Sequence, residues 1–280
     1  MTQDPVVSTA WLAERLNDRR IRILDASWFM PGSPRDPDQE YAATHIPGAV
    51  RFDIDALSDH ASPLPHMLSA PSDFAVAMRR LGLNADATAV VYDSEGLFSA
   101  PRAWWNLRAM GHDATFVLDG GLPRWTAEGR PVETGWPEPD HGNFKAHPRT
   151  DLVEDLEAVR SALEQKSAQV VDARSAARFS GEAPEPREGL RGGHMPGALN
   201  LPWSSVVEDG ALLPAERLRE AFEAAGVDAK ARIVTTCGSG VSASILALAL
   251  ARLGRLDVPV YDGSWTEWGG RTDTSVATGA

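Results

Sequence analysis

The chain is written twice, and this restricts its fold more than any other feature. "RILDASWF" at 22–29 is matched by "QVVDARSAARF" at 169–179, each a short apolar run ending in Asp then Ala (Asp25, Asp172). "HIPGAVRFDI" at 45–54 pairs with "HMPGALNLPW" at 194–203, so His45 answers His194. "AVVYDS" at 89–94 pairs with "RIVTTC" at 232–237, and "VLDGGLPRW" at 117–125 with "VYDGSWTEW" at 260–268, which sets Trp125 against Trp268. Four matches in one order, about 145 residues apart, indicate duplicated domains; solenoid repeats are several-fold shorter.

Each copy alternates short β-rich runs with helical stretches (73–81, 101–110, 214–225, 241–253). That alternation predicts an α/β fold, each copy a mostly parallel sheet flanked by helices. Leu81-Gly82 and Ala225-Gly226 read as helix ends, where a glycine accepts the left-handed backbone. Pro101 suits the first turn of its helix. The stretch 131–150 holds four prolines and little periodicity. It divides the chain into an N-terminal domain at 1–135, a linker at 136–150 and a C-terminal domain at 151–280. Asp151, with Glu154 three residues on, is expected to cap the next helix. The two "H-x-P-G-A" segments invite a metal reading, but Pro-Gly makes a turn that the His can order, and no further ligands lie nearby. The paired tryptophans are expected to fill the core.

A formal net charge of −12 argues against nucleic acid and against anionic membrane surfaces, which need clustered Lys and Arg. It also requires that any anionic substrate meet a local island of positive charge. The amino terminus lacks the apolar core of a signal peptide and carries Asp4 and Glu14; the longest apolar run, 245–251, is too short to span a bilayer. A cytoplasmic protein is expected. The single cysteine, Cys237, rules out an intramolecular disulfide and a cysteine-based metal cluster.

The copies part company at one strand tip. In open α/β sheets, ligands bind beyond the carboxyl ends of strands. There the second copy runs from 233–236 into Cys237, then Gly238-Ser239-Gly240-Val241-Ser242, then an apolar helix; the first copy has Asp93-Ser94 and no thiol. Two glycines let such a loop curl its N–H groups inward, and the helix adds the positive end of its dipole. This setting favours a thiolate nucleophile and would equally hold a persulfide anion. A cysteine phosphatase would need Arg six residues after the Cys, where this chain has Ala243. "G-S-G-V-S-A" also fits a dinucleotide fingerprint, but too little chain follows it to complete a nucleotide-binding unit.

Together, the repeated unit, the Cys loop and the "H-x-P-G" pair resemble the tandem-domain rhodaneses over nearly the whole chain. The resemblance implies two tandem rhodanese-like domains, the second catalytic and the first contributing to a site at the interface. The uncharged loop Cys237 to Val241 is similar to that of 3-mercaptopyruvate sulfurtransferases; thiosulfate-specific members carry a Cys-Arg-Lys-Gly type of loop. By the same resemblance, Arg178 and Arg187 hold the substrate carboxylate and carbonyl. Asp55 and His66, eleven residues apart, join Ser239 as a Ser–His–Asp arrangement. Ser242 stands where many members have Thr. The implied reaction takes sulfur from mercaptopyruvate onto Cys237 and passes it to a thioredoxin-like protein, a small thiol or cyanide, with no cofactor and no metal. Two alternatives stay open: a thiosulfate:cyanide sulfurtransferase, and a non-catalytic sulfur carrier or regulatory module.

Overall fold

The computed structural model describes residues 4–279. The chain forms two compact units. The first comprises the chain to Asp59 with Leu68–Arg149 and Asp209–Leu212; the second comprises His60–Met67, Thr150–Glu208 and Leu213 onward. His66, which the sequence assigns to the first copy, therefore groups with the second unit.

In the first unit, strands β1 (Val6–Val7), β2 (Ile21–Asp25), β3 (Val50–Arg51), β4 (Thr88–Tyr92) and β5 (Thr115–Leu118) form a sheet of order β1-β5-β4-β2-β3. In the second, β6 (Val153–Glu154), β7 (Gln169–Asp172), β8 (Leu199–Asn200), β11 (Ile233–Thr236) and β12 (Val260–Tyr261) repeat it as β6-β12-β11-β7-β8. Short strands β9 (Val207–Glu208) and β10 (Ala211–Leu212) lie between β8 and β11 in the chain. Every pairing within the two five-stranded sheets is parallel. Parallel neighbours need crossovers, which the helices supply. They are α1 (Thr9–Ala13), α2 (Pro37–Ala43), α3 (Pro71–Arg80), α4 (Ala100–Ala109) and α5 (Gly121–Ala127), then α6 (Leu156–Gln165), α7 (Ala176–Ser180), α8 (Ala215–Ala224), α9 (Ala243–Arg252) and α10 (Ser264–Gly270).

The repeat is visible in single hydrogen bonds. Asp25 Oδ1 accepts from the Ser27 N–H and Asp172 Oδ1 from the Arg174 N–H, both at 2.9 Å. Each buried carboxylate thus turns the chain sharply off its strand. His45 Nδ1 meets the Tyr41 carbonyl and His194 Nδ1 the Phe179 carbonyl, both at 2.9 Å, and each imidazole stacks on the ring of that residue. The histidines tie helix ends, as the Pro-Gly context suggests. Trp125 and Trp268 are buried, their indole N–H groups donating to the Pro131 and Ser275 carbonyls.

One expected cap is corrected. Asp151 sits in a 3-10 turn and Glu154 in β6, which pairs with β12. Sheet pairing takes the residues that a helix would have used, so α6 begins at Leu156. Its cap is Asp155, whose side chain accepts from the Ala158 N–H.

Candidate active site

Cys237 follows β11 directly and is buried, the residue being 2% exposed. Its own N–H donates to Ser264 Oγ at 3.3 Å, and its carbonyl accepts from the Trp265 N–H at 2.9 Å. Thr266 adds two bonds to the next carbonyl, Gly238 O, from its N–H at 2.9 Å and its hydroxyl at 2.7 Å. The start of α10 thus pins the loop by its carbonyls and leaves its amides turned to other use. Among the described residues, no N–H from Gly238 to Ala243 donates to another group of the chain. All six residues except half-buried Ser242 are buried. Buried N–H groups without acceptors are costly, and a cluster of them at a helix start is suited to an anion.

Glycine matters at two positions of this loop. Gly240 has φ +81°, a left-handed conformation that L side chains rarely adopt. At Gly238 a Cβ would stand 3.0 Å from Arg178 Nη2, a tight contact that the end of that side chain would have to yield to. Arg178, in the last turn of α7, therefore brings its guanidinium against the residue after Cys237.

The position of Arg178 is fixed from behind. Its Nη2 donates to Glu185 Oε2 at 2.5 Å, and the Glu185 side chain is 1% exposed. The other Glu185 oxygen takes Arg174 Nη1 at 2.8 Å. Arg174, buried and lying over the Trp265 ring, also grips Asp172 and donates to the Gly193 carbonyl. Burial works against its charge, but Asp172 and then Glu185 together hold the Arg174 guanidinium above the usual arginine range. Burial, seconded by Glu267, likewise pushes the Tyr261 phenol far up, so it stays protonated and donates to Glu267. Arg187 is half-buried, two residues past Glu185 on the same loop.

Ser239 and His66, 173 residues apart in sequence, meet: His66 Nδ1 lies 3.0 Å from Ser239 Oγ and 3.3 Å from its carbonyl oxygen. The tautomer of His66 sets which partner donates. His66 itself has φ +62°, a left-handed backbone for a non-glycine residue. Such strain is found where the surroundings force a side chain into place. Ser264, φ +51°, is a second case: it is fully buried, its hydroxyl donates to the Tyr261 carbonyl, and it accepts from Cys237. Asp55 lies in the first unit, where its Oδ2 accepts from Trp28 Nε1 at 3.0 Å.

Sequence reasoning missed Arg174, Glu185, Ser264 and Thr266. The first had a visible signal, since "Asp-Ala-Arg" follows the strand that carries the duplicated Asp172. Nothing local marks Ser264 or Thr266.

Comparison with known proteins agrees with the duplicated fold. The family model described as Rhodanese-like domain matches twice, at residues 8–128 and 155–271. The 3-mercaptopyruvate sulfurtransferase of Escherichia coli (strain K12) is 49% identical over 271 residues, 96% of each chain. The thiosulfate sulfurtransferase of Bos taurus is 42% identical over 271 residues, 94% of this chain and 91% of its own. The crystal structure of SseA from Escherichia coli, presented as the rhodanese fold of 3-mercaptopyruvate sulfotransferases, superposes with a TM-score of 0.87. It is 46% identical and covers 94% of this chain and 99% of its own. The chain belongs to the tandem-domain rhodanese family of 3-mercaptopyruvate sulfurtransferases.

Proposed function

We propose that this enzyme moves sulfur from 3-mercaptopyruvate to a thiol or to cyanide through a persulfide on Cys237, releasing pyruvate. The observation that carries this reading is a lone thiol at a strand tip, on a loop of uncommitted amides, with one guanidinium packed against the next residue. Arg178 and Arg187 hold the donor carboxylate and carbonyl, since planar forks match such oxygens. The Cys237 thiolate attacks the donor sulfur. The C–S bond breaks, its electron pair passes to carbon as the pyruvate enolate, and protonation of that carbon gives pyruvate. Cys237 is left as a persulfide anion, held by loop N–H groups. The acceptor thiolate then takes the outer sulfur, regenerating the Cys237 thiolate, so the cycle is ping-pong and needs no outside oxidant or reductant. A thioredoxin-like dithiol, a small thiol and cyanide all suit this second half. A cytoplasmic setting, which keeps thiols reduced, suits a lone reactive cysteine. Among the described residues, no helix is long and apolar enough to cross a membrane.

Ser239, paired with His66, polarises the donor carbonyl or relays the proton to the departing carbon. Ser239→Ala and His66→Ala are each expected to lower kcat by about 10²-fold, and the double variant by little more, because the two act as one unit. A double variant whose loss equals the product of the single losses would separate the pair.

Thiosulfate is a second donor reading, favoured by the likeness to the bovine enzyme. Against it stands a loop with no cation from Gly238 to Ser242. The deciding experiment combines mass spectrometry of the protein after each donor with side-by-side kcat/KM values. Mercaptopyruvate is expected to add one sulfur per chain, release one pyruvate and give the larger kcat/KM. No adduct from either donor would mean a carrier loaded by a partner protein; preference for thiosulfate would reverse the donor assignment.

A further inference from the structure

The first unit answers Cys237 with a buried carboxylate. Matching by sequence sets Ser94 against Cys237, but the sheets set Asp93 there. Tyr92 is in register with Asp25 as Thr236 is with Asp172. The Leu122 N–H donates to the Asp93 carbonyl at 3.0 Å, as the Trp265 N–H does to that of Cys237 at 2.9 Å. The first loop reaches its helix one residue later, with Ser99 at the N-cap of α4 where Ser242 serves α9.

Asp93 is fully buried. Its Oδ2 accepts from the N–H groups of Phe98, Ser99 and Ala100 at 2.8, 2.9 and 2.8 Å, and its Oδ1 from that of Glu95 at 3.0 Å. An ordinary helix cap acts from the N-cap position onto the next two or three residues. Asp93 instead reaches across the whole loop, which is wrapped around its carboxylate. Oδ2 is three bonds from Cα, as is the outer sulfur of a persulfidated cysteine.

We propose that the first unit holds a second anion cradle, permanently occupied by the Asp93 carboxylate. The carboxylate stands where a small oxyanion or sulfane-sulfur anion would stand, and it closes the site to any such ligand. Without it, the cradle binds a formate- or sulfate-sized anion through the Phe98, Ser99 and Ala100 amides at the start of α4. Nothing in this assignment depends on the chemistry of Cys237.

Asp93→Ala tests it, read as melting temperature against added formate, with chloride at equal ionic strength and the unaltered protein alongside. The variant is expected to melt about 5–10 °C lower in chloride, from the loss of several charge-assisted bonds. It should recover saturably with formate, while the parent protein does not shift. Asp93→Asn keeps the side chain's bulk but turns an NH2 group toward N–H donors; it is expected to melt low and to ignore formate. If Asp93→Ala accumulates unfolded, refolding with and without formate gives the same reading, and formate-dependent recovery supports the cradle. Melting equal to that of the parent protein, an equal formate shift in both, or refolding that fails regardless of formate would overturn it.

Discussion

Cys237→Ser is expected to lower kcat/KM for sulfur transfer by at least about 10³-fold while leaving the folded structure in place. The argument has three parts. A serine oxygen at neutral pH is a far weaker nucleophile than a thiolate and forms no counterpart of the S–S bond. The chain has no second cysteine to substitute for it. The exchange is nearly isosteric, and the hydrogen bonds that Ser264, Trp265 and Thr266 make to the loop run to its backbone and not to Sγ. Activity should therefore vanish without a matching fall in melting temperature. Pyruvate release from mercaptopyruvate by purified Cys237→Ser above about 1% of the parent rate would remove Cys237 from the reaction.

Arg174→Met should cost the second unit about 3–5 kcal/mol, because it breaks a buried ion network from one side. Arg174 joins Asp172, Glu185 and the Gly193 carbonyl, and its side chain is fully buried. Methionine fills part of the volume over Trp265 but leaves the buried Asp172 carboxylate without its cation and Glu185 with Arg178 alone. The same change loosens Glu185, which holds Arg178. Folding and donor binding should therefore suffer together: guanidinium unfolding reads the first, and KM for mercaptopyruvate the second. A loss below about 1 kcal/mol would mean that packing over Trp265, and not charge, makes Arg174 fit.

The fold was legible because the duplicated residues are those with backbone duties. Asp25 and Asp172 turn the chain off a strand, His45 and His194 tie helix ends, and each such duty needs a particular side chain within a few residues. The thiol loop was legible for the same reason, since its glycines and cysteine are contiguous. Resemblance alone suggested that His66 meets Ser239, because the contact joins residues far apart in the chain. The sequence placed Asp93-Ser94 together opposite Cys237, and the sheet register selects Asp93 of the two. Asp151 lost the cap to Asp155 because pairing of β6 with β12 was invisible locally. Glu185 looked like one more acid in an acidic stretch, and only burial between two arginines sets it apart.

The absence of a side chain at Gly238 has a consequence for how donor preference can change. The Arg178 guanidinium lies 3.0 Å from the point where a Cβ at that position would stand. A loop of the Cys-Arg type carries its cation at the very position where this one imports charge from α7. A side chain at 238 therefore obliges the end of Arg178 to shift by a few tenths of an ångström, which couples the two positions. A graft of a cation at 238 should therefore be read together with the placement of Arg178, since the two compete for the same few tenths of an ångström.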